Sequence, residues 1–317
     1  MNEPLLAPPA LAPPALAAAL AAVLALPRAD QPAAVRALHA RLPHPAAEPW
    51  NTAFGPDSLY QAFTESTLAR GLHAANRSTL RPLLDARAGG FRAVEVGGGA
   101  GTVWQGLLRP GDIGEIVVVD PHPDGASGVR RVAPPGVTVR HLAVPVQEAA
   151  LPEADVVVCS LVLHHVAGAD AAARAAVGLT GTGKTEALAA FRAAVAPRDG
   201  RVLLNEADIY CDIGLPPRDP LLYDRLTDSY VRRFALALVD DLATARDDAL
   251  RARWTAILRD WSLGQVELAG SATYAERDVY ELDVPAWLDL IARAGLRVER
   301  RGFTDRWMLF HQYVLAP

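Results

Sequence analysis

A doubly wound α/β sheet, mostly parallel and seven-stranded, with a helical N-terminal section and a helical insertion, is the fold this sequence predicts. Three observations predict it. Short runs rich in Val and Ile are near-continuous rather than alternating, as in strands covered on both faces. Helical stretches alternate with them, the signature of a parallel sheet wound by helices. The first such run ends in glycines, Gly97 to Gly99 and Gly101, where a strand would turn sharply into the next element. The 317 residues, 51% apolar and 21% charged, are ample for a core and too weakly charged for wholesale disorder.

Along the chain, the first fifty residues hold ten of the 25 prolines, and residues 1 to about 48 read as a Pro/Ala-rich leader. Ala15 to Leu26 forms one Ala-rich helix and Ala33 to Arg41 a second. The first lies between Pro14 and Pro27, too short to span a bilayer, and no Lys or Arg precedes it as a secretory signal requires. The composition changes at Trp50. Asp57 or Ser58 can cap a helix with Leu59, Phe63, Leu68 and Leu72 at helical spacing, and a further stretch runs through Leu80, Leu83 and Leu84. Strands are expected at 91–96, 116–119, 137–142, 155–160 and 202–204. Helices are expected at 102–108 and 185–196, the latter with Leu188, Phe191 and Val195 on one face.

After Glu206 the alternation stops. Pro220 to Leu263 is strongly helical and carries Tyr223, Tyr230, Trp254 and Trp261. Asp283 and Pro285 then start a helix whose stripe is Trp287, Leu290, Ile291 and Ala294, with Gly295 at its end. Two strands, 296–300 and 307–315, close the sheet as a hairpin. The expected division is 1–89 as leader and helical N-terminal section, 90–206 plus 284–317 as the α/β core, and 207–283 as an inserted cap. No internal repeat is visible.

Charge and cysteine content narrow the function. A net charge of −5 gives no global basic footprint for nucleic acid. Cys159 and Cys211, the only two cysteines, cannot make a disulfide framework or a thiolate-rich metal site, so no metal is expected and a reducing, cytoplasmic setting fits. Cys159, inside the fourth strand, reads as a small core residue.

The first strand ends Glu95-Val96-Gly97-Gly98-Gly99-Ala100-Gly101. A dinucleotide fingerprint G-x-G-x-x-G fails here on its third glycine; what stands is E-x-G-x-G-x-G. This resembles motif I of the class I S-adenosylmethionine-dependent methyltransferases. The resemblance extends to Asp120, which closes the second strand where the family grips the ribose hydroxyls. It includes Leu163-His164-His165-Val166 after the fourth strand, the passage Ala196-Pro197-Arg198-Asp199-Gly200 before the fifth, and the final hairpin. About half the chain is covered. The family's acidic residue after the third strand is missing; Ala143 to Gln147 stands there.

By this resemblance S-adenosylmethionine is the cofactor, held by Glu95, Gly97, Gly99, Gly101, Asp120, Gln147 and Ser160. The implied reaction is displacement of the sulfonium methyl by an O, C or N nucleophile of a small molecule, a chemistry that suits secondary metabolism. A hydroxyl or acidic C–H acceptor needs a base, and His164 or His165 can supply it. One should face the acceptor and the other the core; His164 is favoured. Glu206 at the end of the fifth strand, followed by Asp208 and Tyr210, can orient the acceptor or cap a helix. His311 lines the pocket or faces solvent. The fourth strand lacks the Asn/Asp-Pro-Pro-aromatic tetrad of amide and nucleobase N-methyltransferases of this fold. The expected partner is therefore a small-molecule acceptor, with no nucleic acid and no membrane; a homodimer stays open.

Two other readings compete. A degenerate methyltransferase fold could serve as a binding or scaffold protein. Gly178 to Thr185 satisfies G-x-x-x-x-G-K-T, which would suit a nucleotide hydrolase. However, the segment before it is Ala-rich and helical in character rather than a buried strand, which favours a chance match or a flexible loop.

Overall fold

Val94 and Val96 point to one face of the sheet and Phe91 and Ala93 to the other, the two-residue period that lets a single strand serve two cores. The computed structural model describes residues 11–42, 58–87, 90–166, 171–173, 181–207, 225, 227–269 and 281–317. Within it seven strands form one sheet: β1 (Phe91–Val96), β2 (Ile113–Val119), β3 (Thr138–Leu142), β4 (Val156–Ser160), β5 (Arg201–Ala207), β6 (Arg297–Phe303) and β7 (Phe310–Ala316). Their order is β3-β2-β1-β4-β5-β7-β6. The first five are parallel, and β7 runs antiparallel between β5 and β6. The order reverses between β1 and β4, which opens a crevice at their carboxyl ends.

Ten of the helices that surround this sheet matter for the site. They are α1 (Pro13–Leu24), α2 (Gln31–His39), α3 (Leu59–Thr64), α4 (Thr67–Ala86), α5 (Ser127–Val132), α6 (Thr182–Val195), α7 (Leu236–Ala243), α8 (Asp248–Ile257), α9 (Gly264–Ala269) and α10 (Val284–Arg293). The expected helix start at 283 is confirmed: Asp283 caps α10 by accepting from the Ala286 N–H at 2.9 Å, and Trp287, Leu290 and Ile291 are buried. At the N-terminal side the chain breaks where one long helix was expected. Ser58 caps α3 and Ser66 caps α4, each accepting a backbone N–H three residues on. The helix expected at 102–108 is absent. Tight turns replace it, with i→i+3 bonds from Trp104 N–H to the Gly101 carbonyl and from Leu107 N–H to the Trp104 carbonyl. Left-handed Gly101 and Gly106 and Pro110 interrupt any α-helical ladder.

The leader helices and the insertion, far apart in sequence, share one core. Leu16 and Leu20 of α1, Val35 of α2 and Phe63 of α3 pack in the same cluster as Leu238, Trp254 and Trp261. Two polar ties fix this cap on the sheet. The buried Asp241 carboxylate accepts the N–H and the hydroxyl of Thr67 at the start of α4, the hydroxyl at 2.5 Å. Arg233 donates to the Trp307 carbonyl at 3.1 Å. Two π-helical turns, Tyr230–Ala235 and Leu258–Leu263, widen the insertion's helices where they meet each other. Trp50, Asp57, Asp208, Tyr210, Cys211, Tyr223 and residues 174–180 lie outside the described residues.

Asp155 anchors the start of β4. Its carboxylate accepts from the Arg92 N–H at 2.8 Å and from Arg198 Nε at 2.9 Å, and it pairs with Arg87. Burial pushes this carboxyl up, but the Arg92 N–H and the two guanidiniums outweigh it and hold it below its ordinary range. A carboxyl that ionises more readily folded than unfolded stabilises fully above about pH 4 and loses that contribution as pH falls further. Asp155→Asn should therefore cost about 2 kcal/mol at neutral pH and much less in acid, as read from urea unfolding followed by tryptophan fluorescence.

Candidate active site

The crevice between β1 and β4 is floored by the glycine loop. Gly97, Gly99 and Gly101 all have left-handed backbone angles. At Gly99, φ is +46°, and an added Cβ would lie 2.6 Å from the Tyr60 hydroxyl. The loop thus needs glycine both for its path and for the close approach of a neighbour.

Two acidic side chains flank the loop. Glu95 is buried and accepts from Trp104 Nε1 at 2.5 Å. Burial raises its carboxyl to about 8, with the Trp104 bond opposing and the Asp120 charge adding to the shift. Asp120, at the end of β2, accepts the His122 N–H at 2.8 Å, and burial raises it as well. Tyr60 stands between them in electrostatic terms. Burial first, then the charges of Glu95 and Asp120, push its phenol up to about 12, so it remains a neutral hydroxyl.

Ser160, at the end of β4, lines the same crevice with Tyr60, Phe63, His73, Glu95, Gly97 and Thr102. A buried polar chain places it: Asn205 Nδ2 donates to Ser160 Oγ at 2.8 Å, and Gln312 Nε2 donates to both Asn205 and Asn76. Gln147 lies instead on an exposed turn, Val146–Glu148, beyond β3, outside the residues that line the crevice. With Tyr60 in this position the space over the loop is about 30 Å³, room for one water. The crevice continues, past Thr64, His73 and Thr102, into a polar cleft of about 390 Å³ that Arg70, Arg77 and Gln105 also line. Both ring nitrogens of His73 are buried there without a hydrogen-bond partner. Burial, reinforced by the Arg77 charge, lowers this imidazole to about 4.

On the other side of β4 the chain turns through Leu163–His165. Glu206, at the end of β5 and buried, governs this turn. Its Oε1 accepts the N–H groups of Val162 at 3.1 Å and Leu163 at 2.7 Å, and its Oε2 takes His164 Nδ1 at 2.7 Å. A carboxylate only accepts, so Nδ1 carries the proton and Nε2 has the free lone pair. His165 is exposed, its ring 4.2 Å from that of His164. Glu206 thus orients a histidine and the strand-end turn rather than capping a helix.

His311 is buried, directly opposite Glu206 in the β5–β7 ladder and stacked 4.5 Å from Tyr313, so it does not face solvent. Cys159 is buried, and burial, with the nearby Glu206 charge, raises its thiol well above the ordinary value, as befits a core residue. Among the described residues no group of three or more His, Cys, Asp or Glu could hold a metal ion, and no helix is long and apolar enough to cross a membrane.

Fold and site together give a doubly wound α/β sheet with a glycine-floored crevice at the switch point and a Glu-oriented histidine beside it. A family model described as a methyltransferase domain matches residues 94–183, a span that contains the glycine loop, Asp120 and the His164 turn. The chain thus carries a methyltransferase domain set in a doubly wound α/β sheet. No curated protein gives a significant match.

Similar solved structures include an S-adenosylmethionine-dependent methyltransferase of Leishmania major, 13% identical, with 84% of this chain and 79% of that one covered and a TM-score of 0.47. Another is magnesium protoporphyrin IX methyltransferase of Synechocystis with bound S-adenosylhomocysteine, 11% identical, covering 79% and 84%, TM-score 0.45. A third, from Bordetella parapertussis, is described as a possible exported protein; it is 17% identical, covers 86% and 76%, and has a TM-score of 0.48.

The residues fit the cofactor. The glycine cradle offers backbone at close range, Asp120 offers an acceptor for hydroxyls, and the unpartnered His73 nitrogens face the cleft that extends the crevice. Neither Tyr60, His73 nor Arg77 stands out in the sequence; the i, i+4 spacing of His73 and Arg77 on α4 is the sole local signal that they share a face.

Two outcomes follow from this geometry. Gly99→Ala should leave the protein folded by circular dichroism and lower S-adenosylhomocysteine affinity at least about tenfold by calorimetry. Glu95 sets a pH dependence. Its folded carboxyl keeps a proton up to about pH 8, whereas the unfolded one releases it near 4.5. Between those values the folded state binds more protons, so stability of the cofactor-free protein falls as pH rises. Glu95→Gln should flatten that slope in thermal unfolding series.

Proposed function

We propose that the chain methylates an O, C or N nucleophile of a small molecule, with His164 as the base and Glu206 as its positioning partner. The observation that carries this reading is the 2.7 Å bond between His164 Nδ1 and Glu206, which leaves Nε2 directed away from the carboxylate. The cofactor residues proposed are Glu95, Gly97, Gly99, Gly101, Asp120 and Ser160, to which Tyr60 and His73 are added. Gln147, on its exposed turn, is proposed only for the adenine edge.

Bound in the crevice, S-adenosylmethionine supplies an activated sulfonium methyl, so that alignment with the acceptor accounts for much of the rate. Nε2 of His164 takes the proton of a hydroxyl or acidic C–H as that group becomes nucleophilic. Glu206 keeps the ring in the required tautomer and stabilises the imidazolium that results. The cap shields the reacting groups from water.

Phe63 lines the crevice from the cap side and packs edge-on against Phe234 and Phe310, at 6.3 and 6.1 Å between ring centroids. This wall supports an apolar or aromatic acceptor. Lys184 of the phosphate-loop lookalike is fully buried and donates to the Val166 carbonyl at 3.1 Å, which speaks against a phosphate site there. A cytoplasmic setting accords with the reduced Cys159.

The test is a screen of hydroxylated, aminated and C–H-acidic aromatic compounds with radiolabelled cofactor. Against the acceptor so found, His164→Gln should lower kcat by about 10²–10⁴ while S-adenosylhomocysteine affinity stays unchanged. An undiminished kcat would remove His164 as the base.

A further inference from the structure

Lys184 completes a string that spells a phosphate loop, yet the fold turns it inward. It sits in the first turn of α6, wholly buried. The Val166 carbonyl that receives its Nζ at 3.1 Å ends the Leu163–His165 turn. Glu206 grips the opposite end of that turn through the N–H groups of Val162 and Leu163. A buried carboxylate therefore holds the donors at one end, and a buried amine holds the acceptor at the other. His164 is between them.

The surroundings need a positive charge. Glu206 is 1% exposed, and Glu281, on the segment leading into α10, is 5% exposed and accepts the Tyr230 hydroxyl at 2.5 Å. Two buried carboxylates near one site are costly unless a cation offsets them. Burial lowers the Lys184 ammonium to about 8, while the charges of Glu206 and Glu281 work to keep it protonated. The titratable groups around this cluster are His164 and His165 on the turn, Cys159 on β4, Glu206 on β5, His311 on β7, Lys184 on α6, Tyr230 on the π-helical turn and Glu281 before α10.

We propose that Lys184 is a positioning residue that locks the His164 turn and supplies the positive charge balancing Glu206. This rests on the reading of Glu206 and His164 as a functional pair. Because the ammonium opposes a second positive charge nearby, its loss makes His164 easier to protonate, whereas loss of the Glu206 charge makes it harder.

The experiment requires no acceptor. Histidine ring resonances of the full chain are titrated by NMR, with His164→Gln identifying the His164 signal. Calorimetry with S-adenosylhomocysteine checks that each variant keeps its cofactor site. Lys184→Met, which removes the charge and keeps the length, should raise the His164 titration midpoint by about half a pH unit or more. Lys184→Arg, which keeps the charge, should leave the midpoint near that of the parent. Should the Met variant not fold, Lys184→Gln provides the neutral arm.

Glu206→Gln should lower the midpoint by about a unit. An unmoved midpoint in the neutral variants, with Glu206→Gln behaving as expected, overturns the role of Lys184 alone. No response to Glu206→Gln overturns the pair itself.

Discussion

A single buried carboxylate, Glu206, ties the carboxyl end of β5 to the turn that leaves β4. An isolated ionised carboxylate at such depth would be strongly unfavourable. Here two backbone N–H groups and one imidazole nitrogen accept the burden, and charge-assisted bonds of this kind are about twice as strong as neutral ones. The same three bonds fix the path of the chain after β4 and so one wall of the crevice. They also fix the orientation of His164. The path of the turn and the orientation of the histidine thus depend on one side chain, held in place because β4 and β5 pair in parallel up to Ser160 and Asn205.

The cap gives this crevice its roof. Its core joins helices from the first seventy residues to helices beyond residue 229, and the Asp241–Thr67 bonds pin it where α4 begins. α4 itself belongs to two environments. Leu68 and Leu72 pack into the cap, while Leu80 and Leu84 pack under the sheet. Tyr60 and Phe63 on α3, and His73 farther along on α4, are therefore held against the glycine loop by both bodies.

Much of the sheet was legible in the sequence because buried parallel strands are written as short Val/Ile runs that owe nothing to context. The limits of β2, β5 and β7 were less so; their ends are set by ladder bonds to neighbours, as where β5 extends through Asn205, Glu206 and Ala207 against β7. The 102–108 segment read as a helix because its apolar residues have helical spacing, but left-handed glycines at 101 and 106 impose turns. The glycine loop and Asp120 were legible since their chemistry lies in a fixed order along one βαβ-like stretch. Tyr60 was not, because nothing in α3 announces that its hydroxyl meets a glycine about forty residues away.

Sequence alone determined the class of fold, the glycine loop and the presence of two candidate histidines, all properties of local pattern. Only the tertiary structure decided which histidine is bonded to a buried carboxylate, since that carboxylate lies 42 residues downstream. It also decided that Lys184 faces the core and not a phosphate: a motif fixes the order of residues, whereas burial and partner are fixed by what packs against the helix that carries it. The union of leader and insertion into one cap has the same cause. Apolar stripes declare that a helix buries a face, and only the folded chain supplies the face it meets.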